Sequence, residues 1–246
     1  MIGKVLSTRG LGAEPDFRWR GEEPSRFEGV SDAVFAFSVT LLVVSLEVPK
    51  TFGELLEAMR GFLGFGLSFA MLAWIWFLHY RYFRRYGLND GVTLLLGGAL
   101  LFVVLFYVYP LKFLSNLFVV FISSLFGRQE DLSIIQNNQI PELMMIYGLG
   151  FAAVFGIFAL LNLHAYRVRE GLQLSPSEQI ETRNDVASNL LNVAIGLLSV
   201  LVAWLGGPLG VWAGMVYLLE WPLQSWVGRH YGRLQRQASA AQEAGA

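Results

Sequence analysis

The sequence predicts an all-α integral membrane protein with six transmembrane helices and both termini in the cytoplasm, and three observations carry that prediction. Of the 246 residues, 54% are hydrophobic and only 15% charged, with a mean hydropathy of +0.49, more apolar surface than one soluble core requires. Long charge-free intervals recur along the chain, as a bilayer core of about 30 Å demands of each crossing helix. Lysine and arginine are distributed unevenly between the segments that join those intervals, which sets orientation.

The first segment, residues 1–24, is a polar arm containing Lys4, Arg9, Asp16, Arg18 and Arg20. It lacks the apolar run and small-residue cleavage site of a signal peptide, so nothing in it reads as removable. The next stretch, RFEGVSDAVFAFSVTLLVVSLEVP over residues 26–49, has only 14 uncharged residues between Asp32 and Glu47. It crosses the bilayer if those charges sit near its ends or face protein or water. Ser25 and Glu28 form a capping box with Pro24 before it, so the helix starts there and runs to Val48 before Pro49 stops it. Residues 61–80, 91–111 and 143–166 contain 20, 21 and 24 charge-free residues and predict three further spans. Residues 186–219 are 34 charge-free residues broken by Gly206, Gly207 and Pro208, which predicts a hairpin of two. Residues 113–127 are apolar but shorter, set off by Pro110 and Lys112; an extension of the third helix, a re-entrant piece and an interfacial helix all fit them.

Fourteen lysines and arginines fall in the amino-terminal segment through Arg26, the second-to-third loop, the fourth-to-fifth loop and the tail, against Lys50, Arg60, Lys112 and Arg128 on the other side. Both termini are therefore expected in the cytoplasm. The chain divides into the arm at 1–24, a six-helix transmembrane domain at 25–228 and a cytoplasmic tail at 229–246, with residues 236–246 and the first 20 or so residues expected as mobile ends.

On the first helix, Phe37, Leu41, Val44 and Val48 recur at i, i+4, i+7 and i+11, with Ser38, Thr40 and Ser45 on or beside that stripe. A packing stripe whose hydroxyls satisfy their own backbone and a conduction path with hydrophobic constrictions share this period. Arg26 and Asp32 lie about 240° apart around the helix, so each needs a partner on another helix or another chain.

Several chemistries are excluded or weakened. The formal net charge of −1 disfavours nucleic acid as a partner. With no cysteine, thiol catalysis, disulfides and thiolate metal sites are absent. His164 and His230 stand apart from any acidic pair, and no nucleophile motif, phosphate loop or metal-ligand spacing occurs, so no enzyme, cofactor or metal is expected. Gly-Phe-Gly within residues 63–68 lies inside an uninterrupted span, where glycines allow close helix packing; Gly206, Gly210 and Gly214 read the same way. The arginines near Arg84 and Arg167 read as topology signals and lipid headgroup contacts, and Trp221, Trp226 and Tyr82 as interfacial anchors.

Residues 26–49 resemble the first helix of the transmembrane protein 175 family, matching its pattern at Arg26, Ser31, Asp32 and Thr40. A second match, WFLHYRYFRRY, contains Trp76 and His79, and Pro110 fits a proline near the end of helix three. Val30 and Phe37 depart from the pattern, which has phenylalanine at the first position and an aliphatic residue at the second. The resemblance implies a homotetramer in the inner membrane, in which the first helix of each subunit lines a central pore within the 25–228 domain. It implies potassium as the permeant ion and Phe37, Thr40, Leu41 and Val44 as the pore lining and constriction. It also links Arg26, Ser31, Asp32 and His79 in a structural polar network at the cytoplasmic side, to which Asn189 or Asn192 could contribute. Besides a passive potassium channel in the lipid bilayer, a non-conducting scaffold and an ion-coupled transporter are alternatives. The span centres lack the carboxylates that a coupled transporter uses, and a ring of four phenylalanines would also suit a blocked pore.

Overall fold

Helix is the only regular structure among the described residues, 17–44, 50–125 and 139–244 of a computed structural model. In chain order it comprises α1 (Arg26–Val44), α2 (Phe52–Tyr86), α3 (Gly91–Leu125), α4 (Ile140–Arg167), α5 (Pro176–Leu205), a 3₁₀ segment (Gly207–Leu219) and α6 (Glu220–Ala244). Five stretches are long and apolar enough to cross a bilayer: α1, Phe62–Tyr86 of α2, Gly91–Ser115 of α3, α4 and α5. The protein is thus a multi-pass membrane protein.

The sixth expected crossing is not among those five. Residues 207–219 of it form the 13-residue 3₁₀ segment, which follows Gly206 and carries Pro208 in its first turn, where the hairpin turn was expected. A 3₁₀ helix rises about 2.0 Å per residue, so this segment reaches about 26 Å, most of the depth of a bilayer core with fewer residues than an α-helix uses.

Local chemistry explains the helix ends. Ser25 and Glu28 form the expected capping box: the Ser25 amide donates to Glu28 Oε1 at 2.8 Å and the Glu28 amide to Ser25 Oγ at 3.2 Å. Ser175 and Glu178 repeat it at the start of α5. Gly87 closes α2 in the left-handed conformation at φ 60°, which a side chain would oppose. The predicted helix end at Val48, together with Ser45, Glu47 and Pro49, lies outside the described residues.

Of the readings open for residues 113–127, the described part takes one: α3 continues through Pro110 to Leu125. Tyrosines brace the proline. The Tyr147 hydroxyl donates to the Pro110 carbonyl, and the Tyr107 hydroxyl donates to the Tyr147 carbonyl at 2.8 Å.

The larger of two buried apolar clusters among the described residues includes Phe35, Leu42, Leu72, Leu100, Val104 and Phe158 and joins α1, α2, α3 and α4; the smaller gathers Met144, Tyr147, Ala203 and Ala213. A close backbone approach lies between α4 and α5. A Cβ on Gly148 would fall 2.8 Å from the Gly196 carbonyl oxygen, and one on Gly196 would fall 2.9 Å from that of Gly148. Small residues let two backbones approach in this way. The glycines singled out from sequence differ: a Cβ on Gly66 meets nothing within the chain, and one on Gly214 makes ordinary contact with Met144.

Two expected mobile ends are ordered where they are described. Phe17 is 4% exposed and packs edge-on against Tyr86, Trp19 sits against Tyr80, and the amides of Arg20 and Gly21 both donate to the Arg84 carbonyl. Residues 17–21 therefore form a strap across the end of α2. At the other terminus, α6 stays helical through Ala244.

Candidate functional site

The sequence of α1 separates into two faces. Ser31, Phe35, Ser38 and Leu42 are buried against α2 and α3. Their hydroxyls turn back on the helix, Ser31 Oγ donating to the Phe27 carbonyl and Ser38 Oγ to the Val34 carbonyl, both at 2.9 Å. This satisfies the polar atoms without a partner helix and lets α1 sit close to its neighbours. The opposite face is uncovered: Val30 is 57% exposed, Phe37 55% and Val44 71%.

Val30, Phe37 and Val44 follow one another at i, i+7 and i+14, a drift of only about 20° per step, so they form one line along the helix. Thr40 is exposed about 60° to one side of it, and its Oγ1 donates to the Ala36 carbonyl at 3.0 Å, leaving oxygen lone pairs available to the open face. Leu41 is half-buried and packs against the core. Arg26 is exposed one turn before Val30. Among the four residues expected along the path, Phe37, Thr40 and Val44 thus share the uncovered face, and Leu41 lies at its margin.

The expected polar cluster takes a different form within one chain. Asp32 is exposed and accepts from Trp76 Nε1 at 2.8 Å. His79 is 2% exposed in a cage of rings, with Phe83 at 4.6 Å and Phe35 at 5.8 Å between centroids, and its Nε2 has no hydrogen-bond partner. Among the described hydrogen bonds, none joins Arg26, Ser31, Asp32 and His79 to one another. The 240° separation of Arg26 and Asp32 accounts for part of this. Asn189 donates to the Asp185 carbonyl, and Asn192 accepts from Gln224 at 2.7 Å, so neither asparagine supplies the missing link.

Charged residues of the strap and three helices instead form an ion-pair layer at the foot of α1. Glu28 pairs with Arg84, whose guanidinium also donates to the Gly21 carbonyl. Arg85 pairs with Glu181 and Asp185 at 2.5 Å each and lies 4.7 Å over the Phe17 ring. Arg81 also reaches Asp185, and Arg20 joins Glu178 at 2.7 Å. Arg84 and Arg85 are thus buried structural cations rather than headgroup contacts. Tyr82, expected as an interfacial anchor, is 3% exposed and donates to the Leu161 carbonyl. His164 does meet an acid, with Nε2 2.6 Å from Asp90 Oδ2.

Glu28 is the functional neighbour that sequence reasoning left in a purely local role. The signal available was the adjacent pair Arg84 and Arg85 at the end of a span, where two buried cations require buried anions. Chemically, the uncovered face of α1 offers apolar rings and branches with one hydroxyl, suited to excluding water and touching a weakly hydrated cation. Among the described residues, no three His, Cys, Asp or Glu side chains group as a metal site.

Known proteins resemble this chain in sequence and in fold. The family model described as endosomal/lysosomal potassium channel TMEM175 matches residues 26–107, which cover α1, α2 and the first part of α3. A protein of Marivirga tractuosa named potassium channel is 38% identical over 234 residues, 92% of this chain and 94% of that protein. The chain belongs to the TMEM175 family. Its fold also agrees with that of a solved family member, a variant of the potassium channel MtTMEM175 crystallised with a nanobody–MBP fusion. That match has a TM-score of 0.83 at 36% identity and covers 91% of this chain and all of the other. A TMEM175-type relationship is local in another relative, a potassium channel of Chamaesiphon minutus. It is 34% identical over 102 residues, 38% of this chain and 50% of that protein.

Proposed function

We propose that this protein is a potassium-selective channel of the bacterial inner membrane that conducts passively through a central pore, with four copies each contributing the uncovered face of α1. The observation that carries this reading is the α1 stripe itself: a span packed on one side and bare on the other, with Phe37, Thr40 and Val44 on the bare side. Family membership and relatives named as potassium channels supply the ion.

In this arrangement Val44 and Leu41 narrow the path with branched carbons, and Thr40 offers a ring of hydroxyl oxygens that replaces part of the ion's water shell. Phe37 forms the tightest layer, where four apolar rings close the path by dewetting when they meet and open it when they rotate aside. The ion-pair layer at the foot of α1 holds each helix at a fixed tilt against its own subunit, so the four rings meet in register.

Flux of potassium, sodium and protons through the purified protein in liposomes tests the proposal. Potassium flux is expected in excess of sodium, with Phe37→Ala faster than the parent and Phe37→Ile intermediate. The absence of flux in all three proteins would show a scaffold, and uphill movement driven by protons would show a transporter.

A further inference from the structure

We infer that α6 carries a docking face for anionic phospholipid headgroups, formed by Arg229, Arg233 and Arg236 beside Trp226. These arginines recur at i, i+4 and i+7, within about 60° of one another around the helix, and Trp226 lies about 60° from Arg229 on the same side. All four are exposed, Trp226 at 64%. The opposite side of α6 is occupied. Val227 is buried there, Gln224 donates to the Ser188 carbonyl at 3.1 Å and to Asn192 Oδ1 at 2.7 Å, and Gln235 donates to Ser177 Oγ at 3.2 Å.

Those contacts fix the depth of the stripe. The charge-free run of α5 begins at Val186, so Gln224, beside Ser188 and Asn192, lies just inside the hydrocarbon. Five residues farther along α6, at 1.5 Å each, Arg229 arrives at the boundary, and Arg233 lies about 6 Å beyond it. The headgroup layer on each side is about 5–8 Å thick, so both cations sit within it, and Arg236, about 10 Å beyond the boundary, lies just outside it with a side chain long enough to reach back. Gln235 meets Ser177, on the first turn of α5, which agrees with α6 leaving the membrane beside that helix.

The occupant follows from charge and place. Arg236 Nε donates to the Gly232 carbonyl within its own helix at 3.3 Å, and among the described residues no acid pairs with any of the three guanidinium groups. Guanidinium forks match phosphate oxygens, a tryptophan at a span end settles at headgroup depth, and juxtamembrane basic residues attract anionic lipid. A diacyl lipid with a negative headgroup satisfies all four side chains in the leaflet where they already lie. A zwitterionic lipid, whose phosphate is neutralised by its own amine, does not.

Native mass spectrometry of the full chain, delipidated in detergent and offered phosphatidylglycerol or phosphatidylcholine at equal concentration, tests this. The parent is expected to retain phosphatidylglycerol several-fold more, on the scale of roughly fivefold for each engaged arginine, and less so at high ionic strength. The combined Arg229→Gln, Arg233→Gln and Arg236→Gln variant loses the preference, and the corresponding lysine variant keeps most of it. The inference fails if the parent shows no preference or if the glutamine variant retains it. It fails equally if the glutamine variant loses subunits in the same spectra, because the stripe would then be a contact between copies.

Discussion

Phe37 is 55% exposed on a helix whose other side is packed to completion, and that contrast makes single residues informative. Glu28 is the reverse case: its side chain is 11% exposed and meets an Arg84 side chain that is 7% exposed. Removing one partner of such a pair strands the other charge, which costs about 3–5 kcal/mol. Glu28→Gln is therefore expected to lower the melting temperature in detergent sharply. Glu28→Met combined with Arg84→Met should lose less than either single change, a result that a thermal double-mutant cycle reads directly. Asp90 gives a pH prediction. Burial on its own would raise its carboxyl, but Thr93 and His164 beside it outweigh that and hold it below the usual carboxylate range. A depressed folded value means the contribution is complete above the unfolded value of roughly 3.9 and disappears as pH falls through the folded one. The melting difference between the parent and Asp90→Asn, which keeps a capping side chain, is expected at pH 7 and should vanish in strong acid.

At the scale of elements, α4 and α5 cross where Gly148 and Gly196 bring two backbones together. Gly148→Ala places a methyl against a carbonyl oxygen that cannot swing away. It should destabilise the protein by about 1–3 kcal/mol, whereas Gly66→Ala, with nothing near it, should be neutral by the same melting assay. Spans were legible from sequence because hydrocarbon forbids charge: each of α1 to α5 is built around one of the charge-free intervals, although α2, α3 and α5 run well beyond theirs, and the Ser25 and Glu28 box marks the start of α1 as spacing alone indicates. What was not legible depends on contacts remote in sequence. Glycine repeats point to close crossings, yet the approach of α4 to α5 uses Gly148 and Gly196, which belong to no four-residue repeat, since it is the facing helix that selects them. Arginine runs at span ends look alike whether they face headgroups or, like Arg84 and Arg85, carboxylates from other helices. The sixth crossing expected from the charge-free run is not among the five long apolar stretches, and its residues form a 13-residue 3₁₀ segment that no residue pattern in the run indicated.

At the scale of the whole molecule, the proposed channel requires that the side of α1 left bare in one subunit be covered by ions and water in the assembly rather than by lipid. Large apolar residues are also exposed on α3, Phe102 at 72% and Phe106 at 71%, and exposure alone does not separate the two kinds of surface. Ion contact does. The chain contains no cysteine, so a single introduced thiol reports only on its own position. Potassium flux in liposomes should be abolished by a cationic methanethiosulfonate reagent in Thr40→Cys and left unchanged in Phe106→Cys. Conducting Thr40→Cys protein that keeps its flux after the thiol is shown to be modified would contradict a path along α1.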